Sequence, residues 1–205
     1  MNLAEKKAKI EKLRIQIAGC QRCPLHKTRT HTVPGEGSLE APIMFIGEAP
    51  GQQEDLKGEP FVGRAGEILD QLLASIHLTR QEIYICNILK CRPPNNRNPL
   101  PYEISACVGS LDIQVKTINP AIMATLGNFA TTYIFQKYGL PPARISQVAG
   151  KTFEVNVNDN TKIIVPLFHP AVATYDAGKL GRLLNDFKII QSLLTKTPKT
   201  TVQSL

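Results

Sequence analysis

Cys20-Gln-Arg-Cys23 is a CxxC pair, a spacing at which two thiolates reach one metal. Cys91 lies in a proline-stiffened run, CRPPNNRNPLP, and Cys107 follows after 15 intervening residues. Thiolates from a helix end, a loop and a helix can close around one metal site. Zinc and iron–sulfur clusters both accept four cysteines. Structural zinc usually takes two close pairs, so the split second pair tilts the reading toward a [4Fe–4S] cluster. Unrelated buried thiols are the plain alternative. Cys86, among apolar strand residues, reads as a buried, inert thiol.

Three other segments carry unusual residues. Gly47-Glu48-Ala49-Pro50-Gly51-Gln52-Gln53-Glu54-Asp55 is rich in glycine and acid but lacks the Lys and Ser/Thr of a phosphate loop. It is a strand-to-helix turn whose glycines let backbone approach a flat ligand closely. Phe61, in PFVGRAG, is either ordinary core or a platform for one planar base. Asn87 is a polar residue in an apolar strand, and its amide can both donate to and accept from a pyrimidine edge. His169-Pro170-Ala171 closes an apolar run; a lone His is more often structural, but a strand end beside a fixed turn suits contact with a ligand oxygen.

The elements that must position these residues follow from periodicity. Residues 3–17 carry Leu3, Ile10, Leu13 and Ile17 on one helical face and lead the chain to Cys20. Residues 42–47 read as a buried strand, 47–63 as a loop, and 64–77 as a helix. A second strand over 83–89 runs into a segment where Pro93, Pro94, Pro99 and Pro101 forbid regular structure. A helix over 102–117, a strand over 121–126 and a helix over 127–138 come next. Strands over 152–157 and 162–168 form a hairpin across Asn158–Asn160, and a last helix spans 179–194. Residues 196–205 are polar and read as a disordered tail. The repeated strand–loop–helix order argues for a parallel sheet with helices on both faces. In such sheets sites form beyond the carboxyl ends of strands, and GEAPG, NILKCRPP and HPA all stand at such ends.

Length and composition fit one globular domain: 205 residues, 42% hydrophobic and 20% charged, with no Trp and 6% aromatics, which argues against wide base-stacking platforms. No apolar stretch is long enough to span a membrane. The charged N-terminus lacks the apolar core of a signal peptide, which predicts a cytoplasmic protein. The net charge of +7 suits a polyanionic partner, although a solvated basic surface explains it as well.

Five pieces, CQRCPLHKTRT, GEAPGQQED, PFVGRAG, NILKCRPPNNR and FHPA, stand in that order over about residues 15–175. Together they resemble the family 4 uracil-DNA glycosylases; the combination is specific, where HPA alone would mean little. The resemblance implies a uracil-glycosylase-type α/β fold, three layers (α/β/α) around a central, mainly parallel four-stranded sheet, as a single domain over residues 1–195. It implies a [4Fe–4S] cluster on Cys20, Cys23, Cys91 and Cys107, and a uracil pocket lined by Glu48, Ala49, Phe61, Asn87 and His169.

In that reading, uracil flipped from DNA stacks on Phe61 and is read along its O4/N3 edge by Asn87. His169 donates to O2 of the leaving base, and Glu48 orients water or steadies the sugar cation. None of these pocket residues is a lysine, so no Schiff base forms, and the enzyme is monofunctional and leaves an abasic site. Arg92, Arg97 and Lys179, together with Lys90 and Arg182, are candidates for holding DNA phosphates. A related covalent uracil-DNA binder carries a basic, His-containing loop after the second strand; CRPPNNRNP has no His, so a turnover enzyme is expected. Val172-Ala173-Thr174-Tyr175 departs from the family, many members of which place bulkier aliphatic residues there; the departure bears against efficient action on duplexes. The expected partner is uracil-containing DNA, single-stranded before double-stranded, met by a monomer of prokaryotic, nucleoid-associated type with no membrane contact. Competing readings are a same-superfamily glycosylase for another deaminated or mismatched base, a non-catalytic uracil-DNA-binding module, and a zinc-stabilised DNA-binding domain.

Overall fold

A computed structural model describes residues 1–157, 160–176 and 178–196. The strands are β1 (Glu36–Gly37), β2 (Ile43–Gly47), β3 (Tyr84–Asn87), β4 (Ile122–Leu126), β5 (Phe153–Val157) and β6 (Asn160–Leu167). The helices are α1 (Leu3–Ala18), α2 (Gln52–Lys57), α3 (Arg64–Ser75), α4 (Pro101–Ile118), α5 (Asn128–Lys137), α6 (Ile145–Val148), α7 (Val172–Tyr175) and α8 (Gly178–Lys196).

The strands form one sheet in the order β1-β3-β2-β4-β6-β5. Its centre, β3-β2-β4-β6, is parallel, and β1 and β5 pair antiparallel at the two edges. The expected four-stranded parallel sheet is therefore the centre of a six-stranded mixed one. The extra edge β1 has two residues, too short to leave a period-two signal. The other edge, β5, is the first arm of the expected hairpin, whose turn residues 158 and 159 lie outside the described residues.

Side chains alternate across the sheet as a pleat requires. Ile43 and Phe45 pack with α3 and α8 through Leu69, Leu72, Leu73, Leu183, Phe187 and Ile190. Met44 and Ile46 pack with α4, α5 and α6 through Leu111, Ile118, Ala130, Ile134, Phe135 and Ile145. Three layers result. Helix α1 lies outside them, seating Ile10, Leu13 and Ile17 against Leu39 and Ile113. Leu3, expected on that face, is 39% exposed; it sits in the first helical turn beyond the contact. Residues 197–205 of the expected disordered tail lie outside the described residues.

Two short helices interrupt segments read as loops. Within 47–63, α2 is capped at its start by Gly51, whose backbone N–H donates to Glu54 Oε2 at 3.1 Å, and at its end by the left-handed Gly58. After His169, α7 takes up the Val172–Tyr175 departure; Val172 and Ala173 pack against the core, and Thr174 Oγ1 donates to the Ala171 carbonyl at 2.7 Å. Both are one to two turns long, below what periodicity resolves.

Candidate active site

Because four strands run parallel, Glu48 after β2, Asn87 at the end of β3, and His169 after β6 emerge on one edge of the sheet. Glu48, Ala49, Phe61, Asn87 and His169 line a single cleft, together with Arg64, Asn96, Arg97, Ala171 and Thr174. All five residues expected in the pocket are thus brought together.

Phe61 is held by its surroundings in a conformation that side chains avoid. Its φ is +52°, the left-handed region. Glu54 fixes the following turn, its Oε1 accepting from the N–H groups of Val62 at 2.9 Å and Gly63 at 2.8 Å. Arg80 donates to the carbonyls of Pro60 and Phe61 and is itself braced by Glu36 and Asp70. Gly66 lets the first turn of α3 close on this loop, since a Cβ there would lie 1.7 Å from the Phe61 carbonyl oxygen. Gly47 serves the other side, because a Cβ on it would come within 2.3 Å of Asn87 Oδ1 and 2.7 Å of the Phe61 ring. The ring ends 5.6 Å from that of His169, nearly parallel to it at 26°. Replacing Glu54 by alanine removes three charge-assisted backbone hydrogen bonds, the two above and that to Gly51. The expected cost is about 2–4 kcal/mol of stability, since each is worth roughly 1.5–3 and part is recovered by water. Chemical denaturation measures it, and a rise in KM should accompany it as Phe61 relaxes.

Asn87 is 2% exposed, and its Oδ1 is buried with no hydrogen-bond partner. Such an orphaned buried acceptor is costly unless a ligand satisfies it. His169 Nδ1 accepts the Ala171 N–H at 3.2 Å, so in the neutral ring the proton sits on Nε2. Burial lowers the His169 pKa from 6.5 to about 4, with Glu54 opposing. Unfolding returns it to the ordinary value. In the window between the two the unfolded chain therefore binds a proton that the folded chain refuses. Stability falls as pH drops through that window, and this group leaves it unchanged above. The melting temperature of wild type should fall more steeply than that of His169→Gln between neutral pH and about pH 5. Burial also raises the Glu48 carboxyl above its usual range, and that carboxyl has no hydrogen-bond partner among the described residues.

The basic candidates divide. Lys90 is 2% exposed and engaged internally, so it is not a surface contact for phosphate; its charge suggested a surface role, but Gln114, distant in the chain, gives it a buried partner. Arg97 lines the cleft but is held by the fully buried Glu103 carboxylate at 2.6 and 2.9 Å, which keeps that carboxyl below its usual range. Arg92 donates to Asn96 Oδ1 at 2.7 Å within the same loop. Lys179 pairs with Asp176 at 3.5 Å, and Arg182 lies 4.4 Å over the Phe168 ring; neither is among the residues lining the cleft. Arg64 was missed: it is exposed on the cleft wall and forms no ion pair among the described residues. Its position inside PFVGRAG, three residues after Phe61, was the available signal.

Cys20, Cys23, Cys91 and Cys107 line a second, small cavity, which Ile17, Arg22, Arg29 and Lys90 also wall. The loop after the CxxC pair, which brings Arg29 to this cavity, is held by Asp55, whose carboxylate accepts the Thr30 N–H at 3.0 Å. Leu25, Leu89 and Cys91 form an apolar patch there that also touches Ala49 of the cleft. Three donors point at the sulfurs: Arg29 Nη1 to Cys91 at 3.1 Å, Arg22 Nε to Cys20 at 3.4 Å, and the Lys90 backbone N–H to Cys107 at 3.3 Å. Burial pushes the Cys91 thiol up to about 11 and raises Cys107. Burial also raises Cys20, but the hydrogen bonds and charge of Arg22 outweigh it and leave that thiol lowered. The thiols surround a cavity, not a point: among the described residues no three His, Cys, Asp or Glu side chains converge as ligands of a single ion. Cys86 is fully buried in β3, outside this cavity.

A family model described as the uracil DNA glycosylase superfamily matches residues 34–190, which contain the whole sheet and the cleft. The chain is 45% identical to the type-4 uracil-DNA glycosylase of Archaeoglobus fulgidus, over 90% of this chain and 93% of that one. It is 44% identical to that of Sulfurisphaera tokodaii, over 93% and 86% of the two chains. With that of Thermotoga maritima the identity is 39%, over 88% and 92%. The chain belongs to the type-4 uracil-DNA glycosylases.

Proposed function

We infer that this protein hydrolyses the N-glycosidic bond of deoxyuridine in DNA, releasing uracil and leaving an abasic site, and that Phe61, Asn87 and His169 read and cleave. The observation that carries the residue assignment is the unpartnered, buried amide of Asn87 at the end of β3, in the same cleft as the Phe61 and His169 rings.

A base leaves the duplex stack before it meets the cleft. Uracil offers an O4 acceptor and an N3–H donor side by side, and the Asn87 amide matches both. Cytosine, with an N4 amine and an unprotonated N3, presents the reverse pattern and sets donor against donor and acceptor against acceptor when the amide is oriented as it pairs with uracil. As the bond from N1 to the sugar breaks, its electron pair passes to the base and negative charge grows at O2. His169 is neutral at neutral pH with its proton on Nε2, so it donates to O2 without first losing a proton. Water adds to the sugar carbon and gives up a proton to solvent while the departing uracil anion takes one up. Glu48, raised by burial and free of internal hydrogen bonds among the described residues, orients that water or steadies the sugar cation. Among the described residues lining the cleft there is no lysine, which supports hydrolysis over Schiff-base chemistry. Arg64 and Arg97 on the cleft wall are the phosphate contacts, with Arg92 behind them on Asn96 and Lys179 outside the lining. The small α7 residues, with Val172 and Ala173 turned to the core, support a preference for single strands.

The four thiols gathered at the second cavity suit a [4Fe–4S] cluster on Cys20, Cys23, Cys91 and Cys107, and the wide spacing of Cys91 and Cys107 supports that over the two close pairs of structural zinc. When bound, the cluster supplies a cross-link between the chain after α1, the loop after β3, and α4. Cys91→Ala should abolish visible iron–sulfur absorbance and lower the melting temperature. Cys86→Ala should keep the absorbance, which makes it the internal control. A panel of single-stranded oligonucleotides bearing uracil, hypoxanthine, xanthine or thymine tests the substrate. Release of uracil alone is expected, and preferential release of another base would replace this reading with its nearest rival.

A further inference from the structure

Lys90 is enclosed between the two cavities, 2% exposed at the end of β3. Its Nζ donates to the Asn87 carbonyl and to Gln114 Oε1, both at 2.7 Å. Gln114 is fixed in turn, its Nε2 donating to the Pro34 carbonyl at 2.6 Å and to the Tyr84 hydroxyl at 3.1 Å. Both acceptors of Lys90 are neutral, and no carboxylate pairs with it among the described residues. A cation enclosed in this way is costly unless an anion lies near.

The candidate anion is on its other side. Lys90 walls the thiol cavity, and its own backbone N–H donates to Cys107 Sγ. Four thiolates leave a bound [4Fe–4S] core with net negative charge, and charges and donors near the sulfurs tune its potential. Arg22 and Arg29 also face the sulfurs, but Arg22 is exposed and Arg29 half-buried, so water screens them more.

We propose that Lys90 is a positioning residue joining the cluster to the base pocket: its enclosed ammonium offsets the cluster's negative charge, while its bond to the Asn87 carbonyl fixes the residue that reads uracil. This rests on the cluster and Asn87 assignments above. A lysine that only filled space would yield to methionine without altering the cluster.

The test uses cluster-loaded full-length protein prepared without oxygen. Iron content, visible spectrum and midpoint potential are measured for wild type, Lys90→Met and Lys90→Arg, with kcat and KM on a single-stranded uracil oligonucleotide. Lys90→Met should hold its cluster at a lower midpoint potential, because losing a positive charge favours the oxidised state. Its kcat/KM should fall about tenfold, the scale of one buried hydrogen bond. Lys90→Arg should return the potential toward wild type. A loaded Lys90→Met protein with the wild-type potential overturns the proposal, whatever its activity. If Lys90→Met cannot be loaded, loading of Lys90→Arg supports the proposal and its equal failure overturns it. A wild-type protein with no iron–sulfur spectrum overturns the cluster assignment and this proposal together, a result distinct from every comparison among the Lys90 variants.

Discussion

Replacing His169 by alanine should slow single-turnover release of uracil by about 10²–10³-fold, the loss found when one preorganised donor to a developing anion is removed. Binding to a non-cleavable uracil analogue in single-stranded DNA should change far less. The split follows from where the charge appears. In the ground state O2 is an ordinary carbonyl oxygen, already satisfied by water before the base is enclosed. Only as the glycosidic bond breaks does it become anionic, and only then is a fixed Nε2–H worth its full value. The ring needs no rearrangement to supply it, since the Ala171 N–H fixes Nδ1 as the acceptor and burial keeps the ring neutral. An unchanged single-turnover rate would remove His169 from the chemistry.

Asn87→Ala should lower kcat/KM on uracil by about a hundredfold or more, the consequence of losing two hydrogen bonds at a buried position. Its effect on stability should run the other way. The Asn87 Oδ1 is buried without a partner, and removing an unsatisfied buried acceptor is neutral or stabilising. A melting temperature equal to or above that of wild type, with activity lost, is therefore the expected pair of results. A variant that loses both in parallel would make Asn87 a structural residue. The contrast with Glu54→Ala is instructive: there the carboxylate is fully used by the fold, so stability and substrate affinity decline together.

Much of this arrangement was legible in the sequence, for a physical reason. Parallel strands deliver their carboxyl ends to one edge, so GEAPG, Asn87 and His169 had to meet once the strand–helix alternation was recognised. The hydrophobic period of α3 and the continuous apolar run of β2 were equally plain. Features set by distant contacts were hidden. The tautomer of His169 depends on a backbone N–H two residues on, the left-handed turn of Phe61 on Glu54 and Arg80, and the burial of Lys90 on Gln114. Lys90 read as a surface charge because charge alone carries no information about a buried partner. Glu54 and Asp55 read as acidic loop residues, yet each holds a neighbouring loop, one for the base pocket and one for the thiol cavity. The first edge strand was too short to leave any pattern.

The most direct measurement is uracil release from a single-stranded oligonucleotide by cluster-loaded wild-type protein, with alkali cleavage marking each abasic site. Free uracil and alkali-labile strands should appear in equal amounts over many turnovers, with no strand cleavage before alkali. Protein that carries its intact cluster and releases no uracil, or that stays bound to the DNA through denaturant without turnover, would contradict the account.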